Sequence, residues 1–339
     1  MTAATPTLGP AAEKPWLTAL TREEVAALLE QRDVRSWLSL ATNWGLVAAA
    51  FALVAAMPNP LTVVLALFVI GGRQLGFAIL MHEAAHRTLL RDRRWNDWVG
   101  NWLCAYPVWG DLRPYRAYHL QHHAKTGTRE DPDIGLAAPF PVTRSSLRRK
   151  IWRDLSGQTG YKRARATLRR DLGRSKGKVR RLTDAGLTSL RGVVITNAVL
   201  LGALTLAGHP ALYLLWAAAW LTTYSLVMRI RSIAEHAVVP DTSDDLRNTR
   251  TTLARVWERV FIAPNRVNYH LEHHLWMTVP HYHLPRLHRL LSERGVLDGA
   301  CVAQGYRSVL RLASSRPEGR GAADDAPPAE HAPSQRPPF

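Results

Sequence analysis

Two pairs of long apolar stretches dominate the order of hydrophobic and polar positions along the chain. The first pair covers residues 37–57 and 61–81, and the second covers residues 193–207 and 211–228. An α-helix rises 1.5 Å per residue, so about 20 apolar residues reach across the roughly 30 Å hydrocarbon core of a bilayer. Each pair is joined by a short turn that contains proline. The pattern predicts an all-α integral membrane protein with four transmembrane helices in two hairpins.

The polar segments at the two ends divide the rest of the chain. Before the first span, Thr21 and Glu24 form the capping-box pattern that begins a helix, and apolar residues follow at helical spacing. After the last apolar residues, proline and charge become frequent, which is typical of disorder. The expected parts are an N-terminal tail and amphipathic helix (1–34), a membrane domain (35–292), a helical C-terminal segment (293–313) and a disordered tail (314–339).

Two segments between the second and third spans do not fit the transmembrane pattern. Residues 98–110 are apolar but too short to cross a bilayer, and they predict a re-entrant or interfacial piece. Residues 87–190 hold 23 Lys and Arg against 9 Asp and Glu, and much of this charge lies in an insertion at 140–191. Two interpretations of the insertion stay open. It is a solvated helical insertion, or it is a surface for anionic headgroups or an acidic partner.

The positive charge also predicts the topology. The formal net charge is +17, which is typical of proteins that bind nucleic acid or an anionic membrane. With four apolar spans we expect a membrane and no nucleic acid partner. Lys and Arg in short flanking segments favour the cytoplasm, so the N-terminus, the basic segment and the C-terminus are expected there. We expect a multi-pass protein of a bacterial inner membrane.

Histidine carries the candidate chemistry. Nine of the 14 histidines lie in four short clusters that read HEAAH, HLQHH, AEH and HLEHH. The topology places all four clusters at the cytoplasmic ends of the spans or in the cytoplasmic segments. The nine are His82, His86, His119, His122, His123, His236, His270, His273 and His274.

The spacing of these histidines predicts metal binding. Neutral imidazole is the commonest metal ligand in proteins, and it suits iron, copper and zinc. Residues four apart lie on one face of a helix, so HxxxH offers two nitrogens, and HxxHH offers three within about one turn. Neighbouring imidazoles in HxxHH diverge, and can therefore serve two different metals. Nine ligands are too many for one metal and enough for two.

Several polar residues near the clusters are candidates to support the ligands. A ligating imidazole usually donates its other ring N–H to a carboxylate or another acceptor. The candidates are Glu83, Asp131, Asp133, Glu235, Asn268 and Glu272. His281, His283 and His288 follow the last cluster closely enough to lie near it, and Asn265 is either a helix cap or an orienting group. Arg73 interrupts the second span without an obvious acidic partner, and its role stays open.

One alternative follows from the first cluster alone. HEAAH also fits HExxH, in which two histidines bind zinc and the glutamate activates water. The sequence Leu297-Asp298-Gly299 resembles the element that supplies a third ligand in intramembrane metalloproteases. However, Asp298 lies outside the apolar spans, and a protease would leave seven clustered histidines unexplained. A protease is therefore disfavoured.

The clusters together resemble a known family. HEAAH, HLQHH and NYHLEHHLW are similar to the three histidine boxes of the membrane-bound fatty acid desaturase superfamily, which includes hydroxylases and carotenoid ketolases. The resemblance extends to EDPD and VPHYHLP and covers roughly residues 35–292. His236, in RSIAEH, matches the additional ligand position of members with nine histidine ligands. The resemblance implies a four-span bundle, a cytoplasmic helical cap and two iron ions that use O2.

The resemblance further implies a reaction and its partners. The expected activity is desaturation of a fatty acyl chain carried as an acyl-lipid or acyl-thioester. A hydroxylase or carotenoid ketolase on the same scaffold is the alternative, and a non-redox metal-binding membrane protein is the alternative from another class. The sequence contains neither a GxGxxG fingerprint nor an HPGG haem-binding element. A separate electron donor, a ferredoxin or a cytochrome b5-like protein, is therefore expected.

Overall fold

The computed structural model describes residues 14–175, 178–179 and 184–318, and most of them are α-helical. Residues 1–13 of the expected N-terminal tail and residues 319–339 of the tail expected at 314–339 lie outside the described residues. The helices are α1 (Pro15–Thr18), α2 (Arg22–Leu29), α3 (Asp33–Ala56), α4 (Pro60–His86), α5 (Arg93–Val99), α6 (Leu112–Lys125), α7 (Ile134–Ala137), α8 (Arg144–Leu155), α9 (Gln158–Asp171), α10 (Asp184–Leu206), α11 (Tyr213–Leu221), α12 (Thr223–His236), α13 (Val256–Phe261), α14 (His270–Leu275), α15 (Leu284–Glu293) and α16 (Gly305–Ala313). The strands are β1 (Arg174–Ser175), β2 (Lys178–Val179), β3 (Thr251–Leu253) and β4 (Val302–Gln304); β1 and β2 pair antiparallel, and β3 and β4 pair parallel.

Four helical segments in the described part of the chain are long and apolar enough to cross a membrane. They are Asp33–Ala56, Pro60–His86, Gly186–Leu206 and Pro210–His236. The four predicted spans are therefore confirmed as apolar helices of spanning length. The second and fourth continue beyond their predicted ends, because the helix that ends each span extends into the histidine cluster that follows the apolar residues.

The fourth span is not one continuous helix. Its regular geometry is interrupted at Thr222, with φ −112° and ψ −86°, between α11 and α12. At this break the carbonyl of Trp220 accepts a hydrogen bond of 2.6 Å from Arg163 of α9. The Arg163 guanidinium also lies 4.3 Å from the ring centroid of Trp220 and 4.7 Å from that of Tyr224. A helix of the basic insertion therefore packs directly on the break.

The basic insertion is docked on the bundle rather than freely solvated. Its helix α8 carries Asp154, which is fully buried and accepts hydrogen bonds from Nε and Nη2 of Arg229 on α12 at 2.5 and 2.8 Å. Thr159 at the start of α9 donates to the same carboxylate at 2.6 Å. A buried carboxylate is tolerated only when it is paired in this way. Many of the remaining basic side chains of α8 and α9 stay exposed, so a surface for an anionic partner is compatible with the docking.

Residues 98–110 form a short, irregular helical stretch, as expected of a segment that does not span. A π-helical turn covers Gly100–Ala105, and a 3-10 turn covers Tyr106–Val108. Gly100 allows this stretch to approach α4 closely, because a Cβ there would lie 2.5 Å from Cβ of Ala84. The stretch thus packs beside the end of the second span that carries the first histidine cluster.

Arg73 has main-chain partners instead of an acidic one. It is 4% exposed and donates hydrogen bonds to the carbonyls of Val260 and Arg259 (the latter at 3.4 Å) at the end of α13. Its Nη1 also lies 3.4 Å from Oδ1 of Asn43 on α3. Carbonyls at a helix C-terminus lack partners within the helix, so a cation is favourable there. Arg73 thereby joins both spans of the first hairpin to the segment before the third histidine box.

Two apolar cores hold these elements together. The larger one lies among the spans and extends to α16. The smaller one joins Trp16, Leu20 and Leu28 of the N-terminal segment to α15 and to Leu271, which is fully buried in the third histidine box. The predicted capping box of α2 is present, since the side chains of Thr21 and Glu24 bond to each other's main-chain N–H. The N-terminal segment thus packs behind the histidine cluster.

Candidate metal centre

The first histidine box ends the second span. His82 and His86 are one turn apart on α4, and their ring centroids are 4.8 Å apart. The helix stops at Arg87, which adopts the left-handed conformation at φ 63°. Both rings therefore leave the last turn of the helix on the same side.

The second box lies on α6, which begins with the Asp111 side chain capping the N–H of Arg113. One turn before His119, the guanidinium of Arg116 donates to the carbonyls of Ala84 (2.8 Å) and Ala85 (3.0 Å) at the end of α4. These bonds hold the first two boxes against each other. Arg116 was not predicted as a site residue, although a cation three residues before a histidine box is visible in the sequence.

The third box and the lone histidine come from the second half of the chain. His270, His273 and His274 lie on the short helix α14, and His236 is the last residue of α12. The main-chain N–H of Arg250 donates to the carbonyl of Glu235 at 2.9 Å, which ties the chain after α12 back to its end. A tertiary arrangement, not sequence proximity, therefore brings His236 to the third box.

The nine histidines form two groups in which each residue offers a nitrogen within 4.8 Å of the others. The group of five contains His82, His86, His119, His123 and His273, and the group of four contains His122, His236, His270 and His274. In both HxxHH boxes the two adjacent histidines belong to different groups, with ring centroids 5.8 Å apart. The structure thus brings all nine predicted ligands together and divides them as the divergence of neighbouring side chains predicts.

The nitrogen positions fit metal binding. Nε2 of His119 lies 2.9 Å from Nε2 of His86 and 3.0 Å from Nε2 of His123. In the group of four, Nε2 atoms of His236 and His270 are 2.9 Å apart. Ligands at about 2.1 Å from one ion, at right angles to each other, are about 3 Å apart. Buried ring nitrogens without a hydrogen-bond partner within the described residues occur in both groups, at Nε2 of His82 and of His274.

The environment keeps most of these imidazoles neutral, which is the form that binds metal. Burial away from water lowers the pKa of the ligand-candidate histidines outside the spans well below the usual value, and neighbouring histidines lower it further. This holds for His119, His123, His270, His273 and His274. A depressed pKa leaves a lone pair free for a cation at neutral pH.

His122 differs from the others because two carboxylates face it. Its Nδ1 donates to Oδ1 of Asp131 at 2.7 Å, and Oδ2 of Asp133 lies 3.8 Å away. Burial lowers the pKa of His122, but the bond to Asp131 and the nearby charge of Asp133 outweigh burial, so the pKa is raised. Asp133 also accepts a hydrogen bond from Tyr118. With Nδ1 held in this way, Nε2 of His122 is the nitrogen left for a metal.

Two of the glutamates expected to support ligands lie beside ligand rings. Oε1 of Glu83 is 3.6 Å from Nδ1 of His82, and Oε1 of Glu235 is 3.5 Å from Nδ1 of His270. Arg231 also pairs with Oε1 of Glu235 at 2.5 Å. Arg231 was missed by the sequence reasoning, although its position four residues before Glu235 is the spacing of a helical ion pair.

The other two candidates, Glu272 and Asn268, serve the scaffold. The Glu272 carboxylate accepts hydrogen bonds from Thr251 on β3 and from Nδ1 of His288 on α15, the latter at 2.6 Å. Asn268 donates to the carbonyl of Thr252 at 3.0 Å. These contacts fix α14 to its neighbours. Glu272 points away from the ligand rings because positions i+2 on a helix face another side than positions i and i+3.

The zinc-protease alternative finds no support in the geometry. Asp298 lies in the exposed chain after α15, and it belongs to neither histidine group of the described residues. Oε2 of Glu83 is occupied by main-chain and side-chain donors, including Thr88 at 3.0 Å.

Comparisons with known proteins point to one family. The fatty acid desaturase family matches residues 58–304, which is most of the chain. A dihydrorhizobitoxine desaturase from Bradyrhizobium elkanii is 29% identical over 240 residues, covering 67% of this chain and 66% of the relative. A zeaxanthin 4-ketolase from Chlamydomonas reinhardtii is 32% identical over 101 residues, covering 29% of this chain and 19% of the relative. The chain thus spans slightly less than two thirds of the first relative's length and a fifth of the second's. The protein belongs to the fatty acid desaturase family.

Proposed function

We propose that this protein is a membrane-bound di-iron oxidoreductase that uses O2 to introduce a double bond into a fatty acyl chain. The observation that carries the proposal is the division of nine histidines into one group of five and one group of four, at the ends of apolar spans. Family membership supports an oxidoreductase of the desaturase type.

Iron fits these donors better than zinc for the reaction that the family implies. Zinc has no redox chemistry, whereas imidazole-bound iron supports O2-dependent oxidation. Bound iron would supply the activation of O2 that removal of hydrogen from an unactivated C–H bond requires. For the balance, O2 accepts two electrons with two protons from adjacent CH2 groups and two electrons with two protons from outside, giving the double bond and two waters.

The residues of the chain contribute position and environment. The five histidines of one group would hold one iron, and the four of the other group would hold the second. Asp131 holds Nδ1 of His122, and Glu235 with Arg231 faces His270, so these rings are fixed before a metal binds. Tyr115 stacks on His119 with ring centroids 5.2 Å apart and is 4% exposed. Such buried surroundings limit the access of bulk water to His119.

The proposal includes topology and partners. We place the histidine groups on the cytoplasmic side of a bacterial inner membrane, because Lys and Arg are concentrated in the segments that flank the spans. An acyl-lipid or acyl-thioester would be the substrate, with its chain among the apolar spans. A separate ferredoxin or cytochrome b5-like protein would deliver the two electrons, and the exposed basic side chains suit an acidic donor.

Product analysis tests the proposed reaction. The protein is expressed in a host whose lipids are then hydrolysed and compared by mass spectrometry with those of a host carrying the His273→Ala variant. Desaturation removes the mass of two hydrogens from an acyl chain, and this product should be absent with the variant. Addition of one oxygen instead would identify a hydroxylase and overturn desaturation.

Metal analysis separates redox catalysis from simple metal binding. Protein purified from iron-supplemented cells should contain about two irons per chain, and His273→Ala should contain less. His209→Ala is the matched control, because His209 lies in the turn between the third and fourth spans, away from both groups. Tight zinc with less than one iron per chain after anaerobic reconstitution would overturn the di-iron assignment.

A further inference from the structure

His281, which lies between α14 and α15 and outside both histidine groups, contacts the carboxylate beside the first box. Its main-chain N–H donates to Oε2 of Glu83 at 2.9 Å, and its Nδ1 lies 3.3 Å from the same oxygen. Oγ1 of Thr88 donates to this oxygen at 3.0 Å. Three donors therefore converge on Oε2, and Oε1 is the oxygen left to face Nδ1 of His82 at 3.6 Å.

The second ring nitrogen of His281 is anchored on the first span. Nε2 lies 2.9 Å from Oγ of Ser39 on α3. A carboxylate can only accept, so Nδ1 of a neutral His281 carries the proton and donates to Glu83, while Nε2 accepts from Ser39. The ring is 3% exposed, which leaves it little freedom to turn. One imidazole thus connects α3, α4 and the segment after the third box.

The main chain around His281 is fixed as well. The N–H of His283 donates to the carbonyl of Pro280 at 2.8 Å, which closes a turn around His281. Next to it, the hydroxyl of Tyr282 accepts a hydrogen bond of 2.7 Å from the main-chain N–H of Arg32, just before α3. These two hydrogen bonds restrain the main chain at His281, and therefore the position of its imidazole.

We infer that His281 is a positioning residue of the metal centre, which holds Glu83 so that its free oxygen faces the ring of His82 in the group of five. The inference rests on the proposed function, since it assumes that this group holds iron. A carboxylate can orient a metal-binding imidazole only if the carboxylate itself has one orientation. The two hydrogen bonds from His281 give Glu83 that single orientation. Its effect is confined to one of the two groups, because the Glu83 carboxylate forms no ion pair with a ring of the group of four in the part of the chain that the structure describes.

Two other histidines of the same segment provide the contrast. His288 bonds to Glu272, whose other oxygen goes to Thr251, so this pair holds α14 and touches no ligand ring. His283 is two residues from His281, but Nε2 of its ring is buried without a hydrogen-bond partner in the described structure. His283→Ala is therefore a matched control for a change at His281.

The test is anaerobic titration of the metal-free full-length protein with ⁵⁷Fe²⁺, read by binding affinity and by Mössbauer spectroscopy. His281→Ala should weaken iron binding by about 10–100-fold at one of the two sites and alter one of the two iron signals. His281→Asn, whose amide can replace the Nδ1 donor, should recover most of the affinity. His281→Gln reaches toward Ser39 instead and should recover less. His283→Ala should behave as the wild type.

Each outcome decides the inference. Wild-type affinities at both sites in His281→Ala would overturn it, and so would an equal loss at both sites that His281→Asn does not restore, since that indicates general loss of structure. If His281→Ala cannot be purified, Ser39→Ala removes only the anchor of the ring and should weaken the same site to a smaller extent; no change there overturns the inference. A wild-type protein that binds no iron would instead contradict the proposed function itself.

Discussion

Gly71 of α4 lies where the second span crosses α12, and a methyl group has no room there. A Cβ at Gly71 would lie 2.8 Å from the main-chain nitrogen of Tyr224 and 2.9 Å from Cβ of Thr223. Thr223 cannot readily turn away, because its hydroxyl donates to the carbonyl of Leu67 at 2.6 Å. Oγ1 of Thr223 would lie nearer still, and to lengthen even the 2.8 Å contact to the 3.4 Å of an ordinary contact, α4 and α12 must separate by at least about 0.6 Å.

The cost of Gly71→Ala follows from this clash. Overpacking a well-packed interface costs about 1–3 kcal/mol. Replacing glycine by alanine within a helix gains about 1 kcal/mol in helix propensity. Gly45→Ala is the matched control, because a Cβ at Gly45 on α3 meets nothing within 4 Å and the variant receives only the gain. The free energies of unfolding of the two variants should differ by about 1–3 kcal/mol. For chains of a few hundred residues, each kcal/mol shifts the unfolding temperature by about 2–4 °C.

The same displacement should also affect the metal centre. α4 carries His82 and His86 of the group of five, and α12 carries His236 of the group of four. Metal–ligand distances tolerate only about 0.2 Å of deviation. Thermal unfolding of purified protein in detergent, combined with iron content per chain, checks both effects. Gly71→Ala should unfold several degrees below Gly45→Ala and hold less iron. Equal unfolding temperatures and equal iron content would refute the packing argument.

Three further predictions follow from other contacts. Arg73→Met leaves the α13 carbonyls that Arg73 caps without a donor, and should lower the free energy of unfolding by about 1–3 kcal/mol per unsatisfied group. Arg73→Lys should cause a smaller loss. Thermal unfolding measures both variants, and an equal loss in the two would contradict the capping role. Asp131→Ala frees the ring of His122 and should weaken iron binding at one site by about 10–100-fold in an anaerobic titration; unchanged affinity would remove Asp131 from the support of the site. Arg229→Met leaves the buried Asp154 without its ion-pair partner, which costs about 3–5 kcal/mol. Limited proteolysis should then cut the α8–α9 segment faster than in the wild type, and an unchanged rate would show that the pair does not hold the insertion.

The spans and the set of candidate ligands were predictable from the sequence because both are local patterns. An apolar run of about 20 residues identifies a span without knowledge of its neighbours. The spacing within HxxHH likewise predicts that adjacent histidines diverge, as His122 and His123 do. The positions of Glu83 and Asp131 beside candidate ligand rings were also predictable, since Glu83 follows His82 directly and Asp131 comes nine residues after His122.

Other features depended on contacts that no local pattern reports. The sequence offered Arg73 no acidic partner, and the structure gives it main-chain carbonyls near residue 260. From the sequence, the basic insertion fitted a solvated helix as well as a surface for an anionic partner. In the structure it is docked on the bundle, because Asp154 pairs with Arg229 of α12. His281 stood only two positions from His283 in sequence, yet only His281 reaches Glu83. Main-chain acceptors and buried pairs are invisible in sequence, because every residue has a carbonyl and charged residues are usually solvated.

The sequence by itself determined that this chain has four apolar spans and nine clustered histidines, because hydrophobic length and helical spacing act over neighbouring residues. Only the tertiary structure decided which histidines share a group, since His123 and His273 meet across 150 positions, with nitrogens 3.0 Å apart. It also decided which carboxylates face a ligand ring and which hold the scaffold. These choices depend on how separate helices pack, and packing is fixed by the whole core rather than by any one segment.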